Sequence, residues 1–308
     1  MTPRRLLVSV PNDELRHAVG DTPDGVEVVE WDLVGPAPED YIDIVVAPYM
    51  EMAERLGRLR EVQCRLVQSQ SVGYDGVAEL LAPGSVFANA TSVHETSTAE
   101  LALALILASQ RGIPDFVRAS LEGRWARAWY PSLADRVVLL VGYGGVGRAI
   151  EARLAAFETT VVRVARRERT DARGPVYAVK SLPHLLAKAD IVVVALPLNE
   201  ETTHLVDDAF LSHMAEGALL VNVARGRVAD TEALVRHARS GRIRLALDVT
   251  DPEPLPHGHP LFSLSNVLVS PHVGGASSAM RPRMARLVRE QIERMLDGDE
   301  PLNVVLRT

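Results

Sequence analysis

Three side chains with complementary charge and acid–base chemistry each follow a separate apolar run late in the chain. Arg225 comes after Ala218 to Val223, Glu253 lies in the proline-rich stretch after Leu245 to Val249, and His272 stands just beyond Val267 to Ser270. A guanidinium, a carboxylate and an imidazole suit reduction of a 2-keto acid by a nicotinamide. Hydride arriving at the carbonyl carbon leaves negative charge on oxygen, so a proton donor titrating near neutral pH is needed there; histidine is the commonest choice. A carboxylate on the far ring nitrogen would orient the imidazole and favour its charged form. An arginine fork would grip the substrate carboxylate and put positive charge near the developing alkoxide. Taken singly, each has a plainer explanation: a structural histidine beside a strand end, an arginine on a phosphate, an acid solvated in its loop.

Such chemistry needs a dinucleotide, and Val137 to Gly147 has the pattern that holds one. Five apolar residues, mostly β-branched, make a short strand buried on both faces, and they stop at Gly142. Gly142, Gly144 and Gly147 then fit G-x-G-x-x-G between a strand and a helix, which brings backbone N–H groups of Gly144, Gly145 and Val146 to a pyrophosphate at the helix N-terminus. An acidic residue about 20 positions later would bond the ribose 2′-hydroxyl. Here the next strand, Thr160 to Val164, runs into Ala165-Arg166-Arg167, with no carboxylate before Glu168. Two guanidiniums suit a 2′-phosphate, favouring NADP(H) while leaving NAD(H) possible; the alternative is a basic loop facing water.

The elements that must position these groups follow a regular order. Leu6 to Val10, Val26 to Trp31, Asp43 to Ala47 and Leu66 to Ser69 read as strands, with helices over Asn12 to Val19 and Glu51 to Leu59. From Val137 a second series runs through Thr160 to Val164, Ile191 to Leu196, Ala218 to Val223, Leu245 to Val249 and Val267 to Ser270. The alternation predicts an α/β chain with two doubly wound parallel sheets, and ligands beyond the carboxyl ends of the strands. That makes two early loops candidates: Pro48-Tyr49-Met50 and Ser71-Val72-Gly73-Tyr74-Asp75, where Gly73 offers either an N–H to a substrate carboxylate or a simple turn. Glu95 to Gln110, nearly all apolar and rich in alanine, predicts a buried helix between domains or subunits. Trp125, Trp129 and Tyr130 suggest core packing or a subunit interface before a substrate role.

The totals exclude other classes. The 308 residues suffice for two ordinary cores, and 47% hydrophobic with 24% charged residues is a globular composition. A net charge of −7 speaks against a nucleic-acid binder or an anionic-membrane binder. One cysteine, Cys64, rules out an internal disulfide and a cysteine-rich metal site. The longest apolar run, Leu101 to Ala108, is far below the roughly 18 residues of a membrane span, and Met1 to Arg5 leads straight into a strand, which together point to the cytoplasm.

The chain resembles the D-isomer-specific 2-hydroxyacid dehydrogenases, the family of glyoxylate, hydroxypyruvate, D-lactate and phosphoglycerate dehydrogenases. The likeness is carried in order by Val72-Gly73-Tyr74-Asp75, Thr98-Ala99-Glu100, the Gly142 to Gly147 turn, Ala195-Leu196-Pro197-Leu198 with Thr202, Asn222 to Gly226, Leu247-Asp248-Val249 through Glu253-Pro254-Leu255, and Ser270-Pro271-His272. It implies that Arg225 binds and polarises the substrate, that His272 is the acid/base with Glu253 as its partner, and that Val72 and Gly73 also meet the substrate. It implies cofactor contacts at Leu196, Pro197, Thr202, Val223, Ala224, Asp248, His272 and Gly274. A flavodoxin-like substrate domain at 1–98 and 280–308 would flank a Rossmann domain at 99–279, in a homodimer. The final helix, Arg281 to Leu296, would return to the first domain. Ala165-Arg166, where the family usually has Asp, matches its NADP-preferring glyoxylate and hydroxypyruvate reductases; Tyr74 and Gly76 depart from the commoner substrate loop. The implied substrate is a small 2-keto or 2-hydroxy acid. The alternatives are a corepressor-like nucleotide-binding protein and a formate- or phosphite-type dehydrogenase.

Overall fold

The computed structural model describes residues 5–308, so the expectation that no export leader precedes the first strand falls, for residues 1–4, outside them. The strands are β1 (Leu6–Val10), β2 (Val26–Glu30), β3 (Tyr41–Val46), β4 (Gln63–Gln68) and β5 (Val86–Ala88). After a long helical stretch come β6 (Val137–Val141), β7 (Thr160–Ala165), β8 (Arg169–Asp171), β9 (Gly174–Ala178) and β10 (Ile191–Val194). The last are β11 (Leu219–Asn222), β12 (Arg244–Leu247), β13 (Val267–Val269) and β14 (Val304–Arg307). The chain divides into two compact units, Met1–His94 with Ser277–Thr308, and Glu95–Ala276.

In the first unit the sheet order is β14-β5-β4-β3-β1-β2, parallel except for β14 against β5. All five residues of β1 are buried, as a central parallel strand requires, whereas edge strand β2 turns Glu27 and Glu30 outward. The helix Met280–Asp297 packs on the helix Asp13–Val19, and Arg289 Nη1 donates to the carbonyls of Ala18 and Val19, both at 2.9 Å. Gln291 Nε2 reaches Gln68 Oε1 at 2.8 Å. The late segment is thereby built into the first sheet's own core.

The second unit has the order β13-β12-β11-β10-β6-β7-β9-β8, parallel apart from the β8–β9 hairpin. Alternate residues feed two separate cores: Val192 and Val194 of β10 join Leu139 and Val141 of β6 on one face, while Ile191 and Val193 join Val138 and Leu140 on the other. The order reverses between β6 and β10, each flanked by strands that follow it in sequence, which opens the crevice where ligands of such sheets bind.

Several expectations are corrected. The seams fall at 94/95 and 276/277 rather than at 98/99 and 279/280, because the helix Glu95–Gln110 belongs to the second unit from its first residue. Within that unit the helix packs against the helix Gly145–Leu154 and the sheet. Glu51 to Leu59 is not one helix but a single turn, Met52–Arg55, followed by a 3-10 segment, Leu56–Glu61. Strands β5, β8, β9 and β14 were absent from the sequence reading; β8 is short and largely exposed, so it lacks the apolar alternation that marks a strand.

Candidate active site

The three chemistry-bearing side chains all sit on loops that leave the carboxyl ends of adjacent parallel strands: Arg225 after β11, Glu253 after β12, His272 after β13. Their mutual placement depends on small residues between the loops. A Cβ on Gly226 would come within 1.8 Å of the Thr250 carbonyl oxygen, so only glycine lets the Arg225 loop lie against the Glu253 loop. Asn222, fully buried at the end of β11, shapes the turn from both ends of its amide: Oδ1 accepts Ala224 N–H at 3.0 Å and Nδ2 donates to Arg225 O at 3.1 Å. Both were visible as motif members but carried no role in the sequence reading.

His272 is held from behind by Asp248. Its backbone occupies the left-handed region at φ 52°, a conformation costing a non-glycine residue roughly 1–3 kcal/mol that neighbours must over-determine. They do so: His272 N–H donates to Asp248 O at 2.7 Å. The buried Asp248 carboxylate accepts Ser270 Oγ at 2.7 Å, Val273 N–H at 2.9 Å and Gly274 N–H at 2.9 Å. A Cβ on Gly274 would stand 2.9 Å from Asp248 Oδ2, which explains glycine there. Asp248 and Gly274 were expected at the cofactor; the structure engages them with each other and with the histidine loop.

The half-exposed His272 ring meets Glu253 through Nδ1 and Oε1, leaving Nε2 on the opposite side of the ring for a ligand. Burial pushes the Glu253 carboxyl upward, but the hydrogen bond and charge of His272, a backbone hydrogen bond from Thr250 and the charge of Arg225 outweigh it and hold the group below the usual carboxylate range. A carboxylate that stays ionised is what an imidazolium partner requires. Arg225 is close enough to contribute to that field, and its Nη1 donates to Ala224 O at 2.8 Å.

The glycine turn has the form of a phosphate cradle. Gly142 takes φ 108°, and a Cβ there would meet Ala195 O at 2.3 Å; one on Gly147 would lie 2.2 Å from Gly142 O. These two glycines pack strand, turn and helix together. Gly144 differs: a Cβ would meet nothing within 4 Å, so its backbone borders open space at the start of the helix Gly145–Leu154, which has no side-chain cap. Unclaimed N–H groups beside open space fit a pyrophosphate. Val146 is half-buried at the first turn. Just past β7, Arg166 and Arg167 are exposed and, among the described residues, form no hydrogen bond or ion pair.

The remaining expected cofactor residues line the ends of β10 and β11. Leu196 is half-buried and Pro197 exposed, while Val223 and Ala224 are buried. Thr202 turns its hydroxyl inward to Pro197 O at 2.7 Å, so it shapes that loop. In the first unit, Val72 and Gly73 follow β4, and Val72 O accepts Asn89 Nδ2 at 2.8 Å. The N–H groups of Val72, Gly73 and Tyr74 donate to nothing among the described residues, which leaves consecutive donors for an anion. Gly73 does not have a positive φ, so no left-handed turn demands it. A cavity of about 540 Å³ opens beyond the ends of β1 and β3, lined by Asn12, Tyr49, Met50, Gln70 and Arg281.

Among the described residues no cluster of histidine, cysteine and acidic side chains could hold a metal, and no helix is long and apolar enough to cross a membrane. Burial pushes the Cys64 thiol up to about 11, far from a reactive thiolate. Trp125 and Trp129 are 97% and 94% exposed, which corrects the core-packing alternative; only Tyr130 is tucked in, edge-on to Phe116 with its hydroxyl on Asp115 at 2.7 Å.

Residues 103–274 match the family model described as D-isomer specific 2-hydroxyacid dehydrogenase, NAD binding domain. A glyoxylate reductase of Thermococcus gammatolerans is 34% identical over 254 residues, covering 78% of this chain and 76% of that protein. The crystal structure of a D-isomer specific 2-hydroxyacid dehydrogenase from Xanthobacter autotrophicus Py2, in complex with NADPH and MES, superposes with a TM-score of 0.81 at 30% identity, covering 99% of this chain and 98% of that one. An NADPH-dependent glyoxylate/hydroxypyruvate reductase from Sinorhizobium meliloti, in complex with NADP and malonate, gives 0.78 at 26% identity with 99% of each chain covered. With its imidazole, carboxylate and guanidinium at neighbouring strand ends above a dinucleotide turn, the chain belongs to the D-isomer-specific 2-hydroxyacid dehydrogenase family.

Proposed function

We propose that the protein is an NADP(H)-dependent reductase of small 2-keto acids, with glyoxylate and hydroxypyruvate as the first candidates. The observation that carries this reading is the His272–Glu253 pair, set beside Arg225 on the sheet whose glycine turn fits a pyrophosphate. When bound, the nicotinamide supplies a hydride to the keto carbon. Arg225 grips the substrate carboxylate and stabilises negative charge growing on the carbonyl oxygen. His272 gives its Nε2 proton to that oxygen, yielding the 2-hydroxy acid, and the Glu253 carboxylate at Nδ1 holds the ring's orientation. In the reverse direction the same nitrogen takes the hydroxyl proton. In the first unit, the N–H groups of Val72 and Gly73, which donate to nothing among the described residues, suit an anion and support reading that unit as the substrate-binding one.

Arg166 and Arg167, two guanidiniums without a partner among the described residues, support a preference for the 2′-phosphate, with NAD(H) still accepted. The NADPH and NADP complexes of the similar structures agree. A homodimer is supported by the exposed apolar side chains of Ile113, Phe116, Val117 and Leu121, which share one face of the helix Ile113–Leu121, and by the exposed Trp125 and Trp129 just beyond it. The deciding experiment crosses NADPH and NADH with glyoxylate, hydroxypyruvate, pyruvate and bulkier keto acids in steady state. Fastest turnover of the two small acids with NADPH is the expected outcome. Tight NADPH binding without any turnover would replace this reading by a corepressor-like binding role, and oxidation of formate or phosphite by a dehydrogenase of those anions.

A further inference from the structure

The edge of the second sheet holds an arrangement that the acid–base chemistry does not use. Tyr143, between Gly142 and Gly144, is buried, and the Cζ atoms of Arg163, Arg148 and Arg169 lie 5.5, 5.8 and 5.8 Å from its ring centroid. Its hydroxyl donates to Glu151 Oε2, and Glu151 also takes Arg173 at 2.8 Å and the buried Arg163 at 3.5 Å. Arg163 in turn binds Asp171 Oδ1 at 3.2 Å and the Arg173 carbonyl. The turn between β8 and β9 is thus anchored to the tyrosine from beneath. At the opposite end of β8, Arg169 donates from Nη2 to the Tyr143 main-chain carbonyl at 3.2 Å.

Residues 166–168 therefore run between two fixed points, the end of β7 and the Arg169 contact on the glycine turn. Without the side-chain contact the far end of the loop would be held only by the backbone pairing of Arg169 with Val176, and two adjacent like charges would be freer to spread into water. We propose that Arg169, seated on Tyr143, is a positioning residue for cofactor selectivity: it staples the Arg166–Arg167 loop to the pyrophosphate turn. An arginine is suited to this because its planar group lies against a ring while an N–H donates to a carbonyl, which the point charge of lysine does less well. The proposal rests on the NADP(H) reading above but concerns a different residue.

The test needs no turnover. Titration calorimetry measures adenosine 2′,5′-bisphosphate against adenosine 5′-monophosphate, and their affinity ratio isolates the 2′-phosphate. In the wild type the bisphosphate binds more tightly; in Arg169→Ala that preference falls by about tenfold while the monophosphate stays within about twofold, and Arg169→Lys restores only part of it. Tyr143→Phe, which keeps the ring, retains most of the preference, and Tyr143→Leu loses it to a similar degree. Combining Tyr143→Leu with Arg169→Ala costs no more than the worse single change if the two act as one device. Unchanged preference in Arg169→Ala overturns the staple alone, as do additive losses in the double variant, which would mean direct contact with the phosphate. A wild type that does not prefer the bisphosphate overturns the NADP(H) reading as well. Arg169 is exposed, so its variants decide the matter even if a change at buried Tyr143 prevents folding.

Discussion

Two loops leave the same sheet in opposite states of readiness. The loop after β13 is saturated from within: Asp248 meets Ser270, His272, Val273 and Gly274, and holds a histidine in a backbone conformation it would not choose. The loop after β7 presents Arg166 and Arg167 with no protein partner at all among the described residues. Proton transfer tolerates little error in position, so a histidine fixed in advance suits the acid/base role proposed for it. Phosphate recognition works differently, since guanidiniums paired internally would have to give up those partners on binding. On the proposed roles, the first loop's free energy is placed in the fold and the second's is left for the complex.

Removing the chemistry itself has the largest expected effect. His272→Ala and Arg225→Ala each lower kcat/KM for the keto acid by about 10²–10⁴ while circular dichroism stays near wild type. Loosening the saturated loop comes next: Asp248→Asn replaces one acceptor oxygen by an NH₂ group facing N–H donors, and kcat should drop about 10- to 100-fold with a lowered Tm. A wild-type kcat there would mean that the histidine loop holds itself. On the open loop, Arg166→Ala raises KM for NADPH about tenfold or more and leaves that for NADH nearly unchanged; equal shifts for both cofactors would sink the 2′-phosphate assignment. The smallest effect concerns Glu253, whose folded pKa is depressed. Its stabilisation is present above the unfolded carboxylate value near 4.5 and vanishes as pH falls through the lower folded value. Urea midpoints of the wild type and Glu253→Gln should therefore differ at pH 7, by less than about 1 kcal/mol for so exposed a pair, and converge in the acid range.

Much of this was legible in the residues. The strand-to-glycine transition at Val141-Gly142 and the groups after three apolar runs follow from local pattern, because buried parallel strands write themselves as β-branched runs that end where the backbone must turn. The supporting residues were not. Gly226 and Gly274 look like ordinary turn glycines, and their need arises from Thr250 O and Asp248 Oδ2, neighbours contributed by other strands. Asp248 reads as another motif acid until its three hydrogen bonds are seen. The β8–β9 hairpin was invisible for a related reason: its order comes from the buried Arg163 and the partly buried Glu151 rather than from apolar periodicity.

Strand β14 pairs antiparallel with β5, and the helix before it packs on the helix Asp13–Val19. During synthesis those partners leave the ribosome only after every residue of Glu95–Ala276 has emerged. The usual order, in which the amino-terminal module folds first, is thereby inverted. The inserted module can close its core while the earlier one still waits with an unpaired strand edge at β5, an interval in which a chaperone or a premature stop would act on the first sheet and spare the second.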